Sequence, residues 1–326
     1  MPFPIEDKLV IAVSSSALFD LSESDKVFRE QGPAAYKQFQ EEQLNIVLGT
    51  GVAFPFIRRF LAFNQHFPQE TPVEVVLLSR NSTATGRRVF RSIAHYGLDI
   101  SRAAFTGGAS PFPYIPAFNA SLFLSGNEED VRSAVAAGSP AGLLLPGAVT
   151  DQQDDKELRI AFDFDGVLAD DEAETVFKQE GLERFHEYEA LHSEKEHNPG
   201  LLADLFRKLS KLQELEDRLR AKNPNYQRLL RTAIITARNA PAHERVITTL
   251  KSWGVEANET FFLGGMDKRR ILNVLKPHIF FDDQLDHLKA KDLAMVHVPF
   301  GVANQTLLEV SDPTFTHPSA PQSGLI

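Results

Sequence analysis

The chain writes one segment twice. "IAVSSSALFD" (11–20) and "IAFDFDGVLAD" (160–170) both carry Ile-Ala in an apolar run, and Ser14 and Ser16 of the first stand where the second has Asp163 and Asp165. The same offset of 149 residues carries Val27-Phe28 onto Val176-Phe177, Gly32 onto Gly181, Gly51 onto Gly200 and Arg58 onto Arg207. An offset of 157 then takes over without gaps, laying "LLSRNSTATGRRVFRSIAHYGLDISRAAFTGG" (77–108) over "IITARNAPAHERVITTLKSWGVEANETFFLGG" (234–265) and "SLFLSGN" (121–127) over "HIFFDDQ" (278–284). The change of offset is an eight-residue insertion in the second copy. Matches in order at constant offsets define a duplication, and the fold must be one that two similar units can build. The first copy spans 1–149 and the second 158–310. The polar "TDQQDDKELR" (150–159) reads as a linker, and the Pro- and Ser-rich 311–326 as a flexible tail.

Composition narrows the classes. A chain of 326 residues is long enough for two domains or for one large one, and 43% hydrophobic residues are ample for packed cores. The absence of cysteine excludes disulfides and thiolate metal sites. A net charge of −10 argues against a nucleic-acid partner, whose backbone selects basic surfaces. A small phosphorylated ligand beside a bound cation stays compatible. No apolar run approaches the roughly 18 residues of a membrane span, and "MPFPIEDKLVIAV" carries acids where a signal peptide carries basic residues. These features predict a soluble, cytoplasmic protein without a membrane partner.

Each copy alternates strands with helices. In the second, "KELRIAF", "LRTAIIT", "ETFFLG", "PHIFFD" and "LAMVHVP" read as short buried strands. "PAHERVITTLKSWG" has helical spacing at Val246, Leu250 and Trp253 and stops at Gly254. Apolar strands with helical crossovers predict an α/β fold: a parallel sheet covered on both faces, with ligands at the carboxyl ends of its strands. Residues 170–231, between the first and second strands, read as a helical cap.

Those strand ends are loaded in the second copy. Asp163 and Asp165 end the first strand, Thr236 the second and Asp282-Asp283 the fourth, while Lys268 opens a helix after the third. Carboxylates brought together and buried need a cation or a proton. Oxygen donors without a placed Cys or His favour Mg²⁺ over zinc. A lone Asp after a strand is ordinarily a turn or helix cap, and Thr236 and Lys268 taken singly have equally plain readings; the joint placement argues for chemistry. Arg269, Arg270 and Asp267, and His186, His192 and His197 of "HEYEALHSEKEH", read as solvated surface or caps.

"DFDGV", "IITAR", "GGMDK" and "FFDDQ", in this order, resemble the haloacid dehalogenase (HAD) superfamily of phosphotransferases. Across nearly the whole chain, "AVSSSALFDL", "VVLLSRNS", "YGLDISRAAFTGG" and "TARNAPAHERVI" are similar to the cytosolic 5′-nucleotidase I family. Animal members of that family read DGDAVLF where this chain has Asp163 to Ala169; both acids are retained, and Ala169 in place of Phe removes an aromatic.

The resemblance implies two Rossmann-like units, the second catalytic with a helical cap insertion. It implies a Mg²⁺-dependent 5′-nucleotidase acting on nucleoside 5′-monophosphates such as AMP. Asp163 is then the nucleophile and Asp165 the acid and base. Asp163, the Asp165 carbonyl and Asp282 hold Mg²⁺, with Asp283 the alternative ligand. Thr236 and the Ala237 amide bind phosphate, and Lys268 clamps it. A nucleotide effector and a homo-oligomer are left open. In the first copy Ser14, Ser16, Ser79, Pro111 and Ser125-Gly126 replace these groups, so that copy reads as a silent duplicate. Two competing readings share the core: a phosphatase of the same superfamily for sugar or other small phosphates, and a non-enzymatic nucleotide sensor.

Overall fold

The computed structural model describes residues 4–304; the expected tail, 311–326, lies outside them. The first half runs β1 (Leu9–Val13), α1 (Ser15–Leu18), α2 (Ser22–Glu42), α3 (Phe54–Ala62), β2 (Val73–Ser79), α4 (Thr83–His95), β3 (Arg102–Phe105), β4 (Ala120–Ser125), α5 (Glu128–Ala136) and β5 (Ala141–Leu144). The second runs β6 (Leu158–Phe162), α6 (Glu172–Leu191), α7 (Ala203–Lys222), β7 (Leu230–Thr236), α8 (His243–Ser252), β8 (Glu259–Phe262), α9 (Arg269–Leu275), β9 (Ile279–Asp282) and β10 (Met295–His297). Local chemistry sets many boundaries. Ser82 and Thr85 close a capping box at the start of α4, and Asn127 caps α5. The α8 helix is capped by Trp253, before Gly254 at φ 65°.

The strands form one ten-stranded sheet in the order β3-β2-β1-β4-β5-β10-β9-β6-β7-β8. Neighbours pair in parallel except at the centre, where β5 and β10 run antiparallel through Leu144–Val296 and Leu143–His297. Read outward from that join, each half has the same strand order. Gly32 (φ 82°) and Gly181 (φ 84°), 149 residues apart, break α2 and α6 at the same point.

One core runs under both halves. Leu9, Ile11 and Val13 of β1 share it with Leu158, Ile160 and Phe162 of β6. Phe162 lies 5.1 Å from Phe281 and 5.5 Å from Phe206, ring centre to ring centre, and truncating such a side chain costs about 3–5 kcal/mol. The covering helices reach across the join: α3 packs on β2 of its own half and also on β6, and α7 of the second half packs on β1 and β4. On the opposite face each half has its own core, around Val76 and Phe123 in one and Ile235 and Phe280 in the other.

The stretch 170–231 differs from its expectation as a cap. Leu205, Phe206, Leu209 and Leu212 of α7 are buried in the shared core, so this helix is a sheet crossover. The insertion lengthens the region between Arg207 and β7, where α7 has 20 residues against nine in α3. Within α6, by contrast, only Ala173 and Glu189 are fully buried.

Candidate active site

Three strands and one helix start deliver the predicted groups. Asp163 follows β6, and its backbone N–H is fixed by Phe281 O at 2.8 Å. Its Oδ1 accepts from Phe164 N at 2.7 Å. Lys268, the N-cap residue of α9, is almost wholly buried; its Nζ lies 2.6 Å from Asp163 Oδ2 and 2.7 Å from Asp282 Oδ2. One ammonium thus bridges two carboxylates from neighbouring strands. Asp282 also accepts from Gln284 N at 2.9 Å, and both its oxygens lie 3.1 Å from His287 Nδ1. Burial raises the proton affinity of Asp282, but Lys268 and His287 outweigh it and hold its carboxyl below the usual range. Burial lowers that of Lys268, but Asp163 and Asp282 outweigh it and keep the amine charged.

Asp283 has a different environment. It is 3% exposed, and its Oδ1 has no hydrogen-bond partner. Burial first, then the charges of Asp163 and Asp282, push its carboxyl up to about 9. Burial also pushes Asp163 up to about 7 against the pull of Lys268. The Asp283 backbone is held in place, its carbonyl lying 3.0 Å from both His297 Nε2 and Asn304 Nδ2. A buried carboxylate oxygen without a donor, beside further acids, is what a hard cation would satisfy.

Thr236 ends β7, fully buried, and its Oγ1 accepts from Arg238 N at 3.2 Å. The following turn, from Ala237, is tied to the glycines after β8: Gly264 N and Gly265 N donate at 3.2 Å to Arg238 O and Ala237 O. Asp165 is 18% exposed at its side chain, and Arg238 binds both its oxygens, at 2.7 and 2.8 Å. Arg238 and His287 were not among the predicted site residues, although "IITAR" contains the first. Asp163, Asp282 and His287 also lie close enough to share an ion, but Asp282 is already paired with Lys268 and His287 and an imidazole is a poor Mg²⁺ donor. The orphaned Asp283 is the better indicator. His197, expected on the surface, is 1% exposed; its ring packs edge-on against Phe164 at 5.4 Å and faces Glu189 at 3.4 Å. The charged run around it hid a loop after α6 that turns inward. Two cavities, of about 570 and 590 Å³, meet around His66, Lys156 and Leu229, and none of the predicted site residues lines either.

The first half repeats the frame without the charges. Ser79 Oγ accepts from Asn81 N at 3.2 Å as Thr236 does from Arg238, and Ser125 Oγ accepts from Asn127 N at 3.1 Å as Asp282 does from Gln284. After β1, Ser14 caps the short α1. The equivalent loop after β6 is one residue longer: Gly51 N bonds Leu18 O, whereas Gly200 N bonds Leu168 O.

Carboxylates, a hydroxyl and a buried ammonium thus meet at adjoining strand ends of a parallel α/β sheet, groups suited to binding an anion beside a cation. The sequence matches the 5'-nucleotidase family over residues 1–305, and the chain belongs to that family. It is 35% identical over 296 residues to cytosolic 5'-nucleotidase 1B of Homo sapiens, a match covering 88% of this chain and 48% of that protein. The chain thus spans about half the length of that relative. Among the described residues no helix is long and apolar enough to cross a membrane.

Proposed function

We propose that the chain is a Mg²⁺-dependent 5′-nucleotidase that hydrolyses nucleoside 5′-monophosphates of the AMP type. The observation that carries this reading is Lys268 bridging Asp163 and Asp282 beside the unpartnered Asp283. In it, Asp163 attacks phosphorus, an oxygen–phosphorus bond forms and the bond to O5′ breaks. Asp165 gives a proton to the departing O5′. It then takes one from the water that attacks the aspartyl-phosphate, releasing phosphate and freeing Asp163. The Thr236 hydroxyl and the Ala237 N–H donate to phosphate oxygens. Lys268 steadies the charge of both the phosphate and Asp163.

Asp163, the Asp165 carbonyl and Asp283 would hold the metal, with Asp282 serving to anchor Lys268. When bound, Mg²⁺ neutralises phosphate charge that would otherwise repel the nucleophile. The first half is then a duplicate that keeps the sheet and has lost the chemistry. The α6 helix, whose C-terminal part seats on Arg238 and Asn239, is the segment left to act as a cap.

The test is phosphate release from nucleoside monophosphates, deoxynucleotides and sugar phosphates, with Mg²⁺ and with EDTA. Turnover of nucleotides that EDTA abolishes is expected. Preference for sugar phosphates would move the substrate class, and no turnover of any ester would sink the enzymatic reading.

A further inference from the structure

Asp165 is held by a chain of buried charges that runs into α6. Arg238, 4% exposed, uses Nε and one terminal nitrogen on Asp165, at 2.8 and 2.7 Å. Its other terminal nitrogen pairs with Glu189 and donates to Ala242 O at 3.2 Å. The remaining oxygen of Glu189 accepts from Arg245 at 2.9 Å, and Arg245 also meets Glu172 at 2.9 Å. The Arg238 guanidinium lies 5.5 Å from the ring centres of both Phe164 and Phe185. Glu189, Phe185 and Glu172 all belong to α6. Burial works against the Glu189 charge, but His197 and Arg238 outweigh it and hold its carboxyl down at about 2.

The first half supplies an internal control. At the offsets of 149 and 157, Gln40 answers to Glu189, Asn81 to Arg238, Arg88 to Arg245 and Ser92 to Thr249. Arg88 Nε donates to Ile46 O at 2.8 Å, as Arg245 Nε does to Lys195 O at 3.0 Å. Leu48 N donates to Ser92 Oγ at 3.0 Å, as His197 N does to Thr249 Oγ1 at 3.0 Å. Arg88 reaches Gln40 at 3.5 Å where Arg245 reaches Glu189 at 2.9 Å. The frame of arginine, hydroxyl and backbone is therefore built in both halves. The charges of Glu189 and Arg238 exist only in the half that has an acid to hold. In the first half Asn81 joins α2 to the loop after β1 by neutral bonds, accepting from Tyr36 Oη at 2.7 Å and donating to Ser15 Oγ at 3.2 Å, so that connection does not itself require charge.

We propose that Arg238 and Glu189 are positioning residues for proton transfer: Arg238 fixes the Asp165 carboxylate, Glu189 fixes Arg238, and the seating of α6 thereby sets the acid. A guanidinium spanning both carboxylate oxygens fixes the direction in which they face. The inference rests on the reading of Asp165 as the proton carrier.

First-turnover kinetics separate the two ideas, because p-nitrophenolate leaves without a proton and a nucleoside alkoxide does not. Asp165→Asn should slow the first turnover of AMP about a hundredfold or more and leave the p-nitrophenolate burst within about tenfold of wild type. Arg238→Lys and Arg238→Gly should show the same split. Millimolar guanidinium should restore part of the AMP turnover of Arg238→Gly. Glu189→Gln, nearly isosteric, should show the split at about tenfold, and it decides the matter if circular dichroism finds the Arg238 variants unfolded. If Asp165→Asn shows no split, the reading of Asp165 fails and this inference with it. If Asp165→Asn splits while the folded Arg238 or Glu189 variants lose both reactions alike, or neither, the positioning role is overturned and the site reading stands.

Discussion

A methyl group added to Gly166 would lie 2.6 Å from Oδ2 of Asp283, so the two are neighbours only because one has no side chain. Gly166 also sits at φ 70°, where a Cβ is strained by about 1–2 kcal/mol. Gly166→Ala should lower stability by about 1–3 kcal/mol in urea unfolding. It should also displace Asp283, raising the Mg²⁺ concentration needed for half-maximal turnover at least tenfold. An unchanged magnesium titration would remove Asp283 from the metal site.

Lys268 and Asp163 should part company when each is replaced. Asp163→Asn leaves Lys268 paired with Asp282 and removes one of several crowded acids. It should be as stable as wild type while losing turnover about a thousandfold or more. Lys268→Met strands two buried carboxylates and should cost about 3–5 kcal/mol as well as activity. Paired thermal melts and rate measurements check this; a destabilised Asp163→Asn would contradict the account of the cluster.

Ser14→Ala combined with Ser16→Ala tests the silence of the first half. Ser14 accepts from Ala17 N and lies 3.1 Å from Ser16 Oγ, so the pair has a structural duty as a helix cap. Losing it should cost about 1 kcal/mol. Turnover at saturating substrate and Mg²⁺ should stay within about twofold. Collapse of turnover in a folded double variant would place the first half inside the chemistry.

His278 should give the fold an acid-sensitive limb. Its Nδ1 accepts from Arg159 N at 3.1 Å, and burial, with Arg59 and Arg159, pushes its proton affinity down to about 3. The unfolded chain, titrating near 6.5, binds the proton that the folded chain refuses. The contribution is therefore whole above pH 6.5 and is lost as pH falls toward 3, amounting to roughly 5 kcal/mol at most. His278→Asn keeps an acceptor and cannot titrate there. Urea unfolding between pH 4 and 7 should show a shallower decline for the variant; parallel curves would refute the assignment.

Asp163, Asp165, Thr236 and Asp282-Asp283 were legible because each terminates an apolar run, and strand ends in a parallel sheet share a rim. Lys268 was legible from its place before a helix. Glu189 was not: inside "HEYEALHSEKEH" a buried acid looks like its solvated neighbours, and only tertiary packing selects it. Its trace lay in the repeat, where Gln40 and Asn81 lose charge together with the acids. The core position of α7 also had a signal in the sequence. Leu202, Leu205, Phe206 and Leu209 have the spacing of a core stripe, and the offset linking Arg58 to Arg207 already matched this helix to α3.

The reach of α3 and α7 across the join has a consequence for the chain as an object. Each half lends the other a helix, so a cut in the linker would leave two polypeptides with bare apolar faces. The natural description is a tethered heterodimer: the half without the strand-end acids walls the half that has them. Two separately expressed pieces should be soluble only together, and neither should survive as a minimal enzyme.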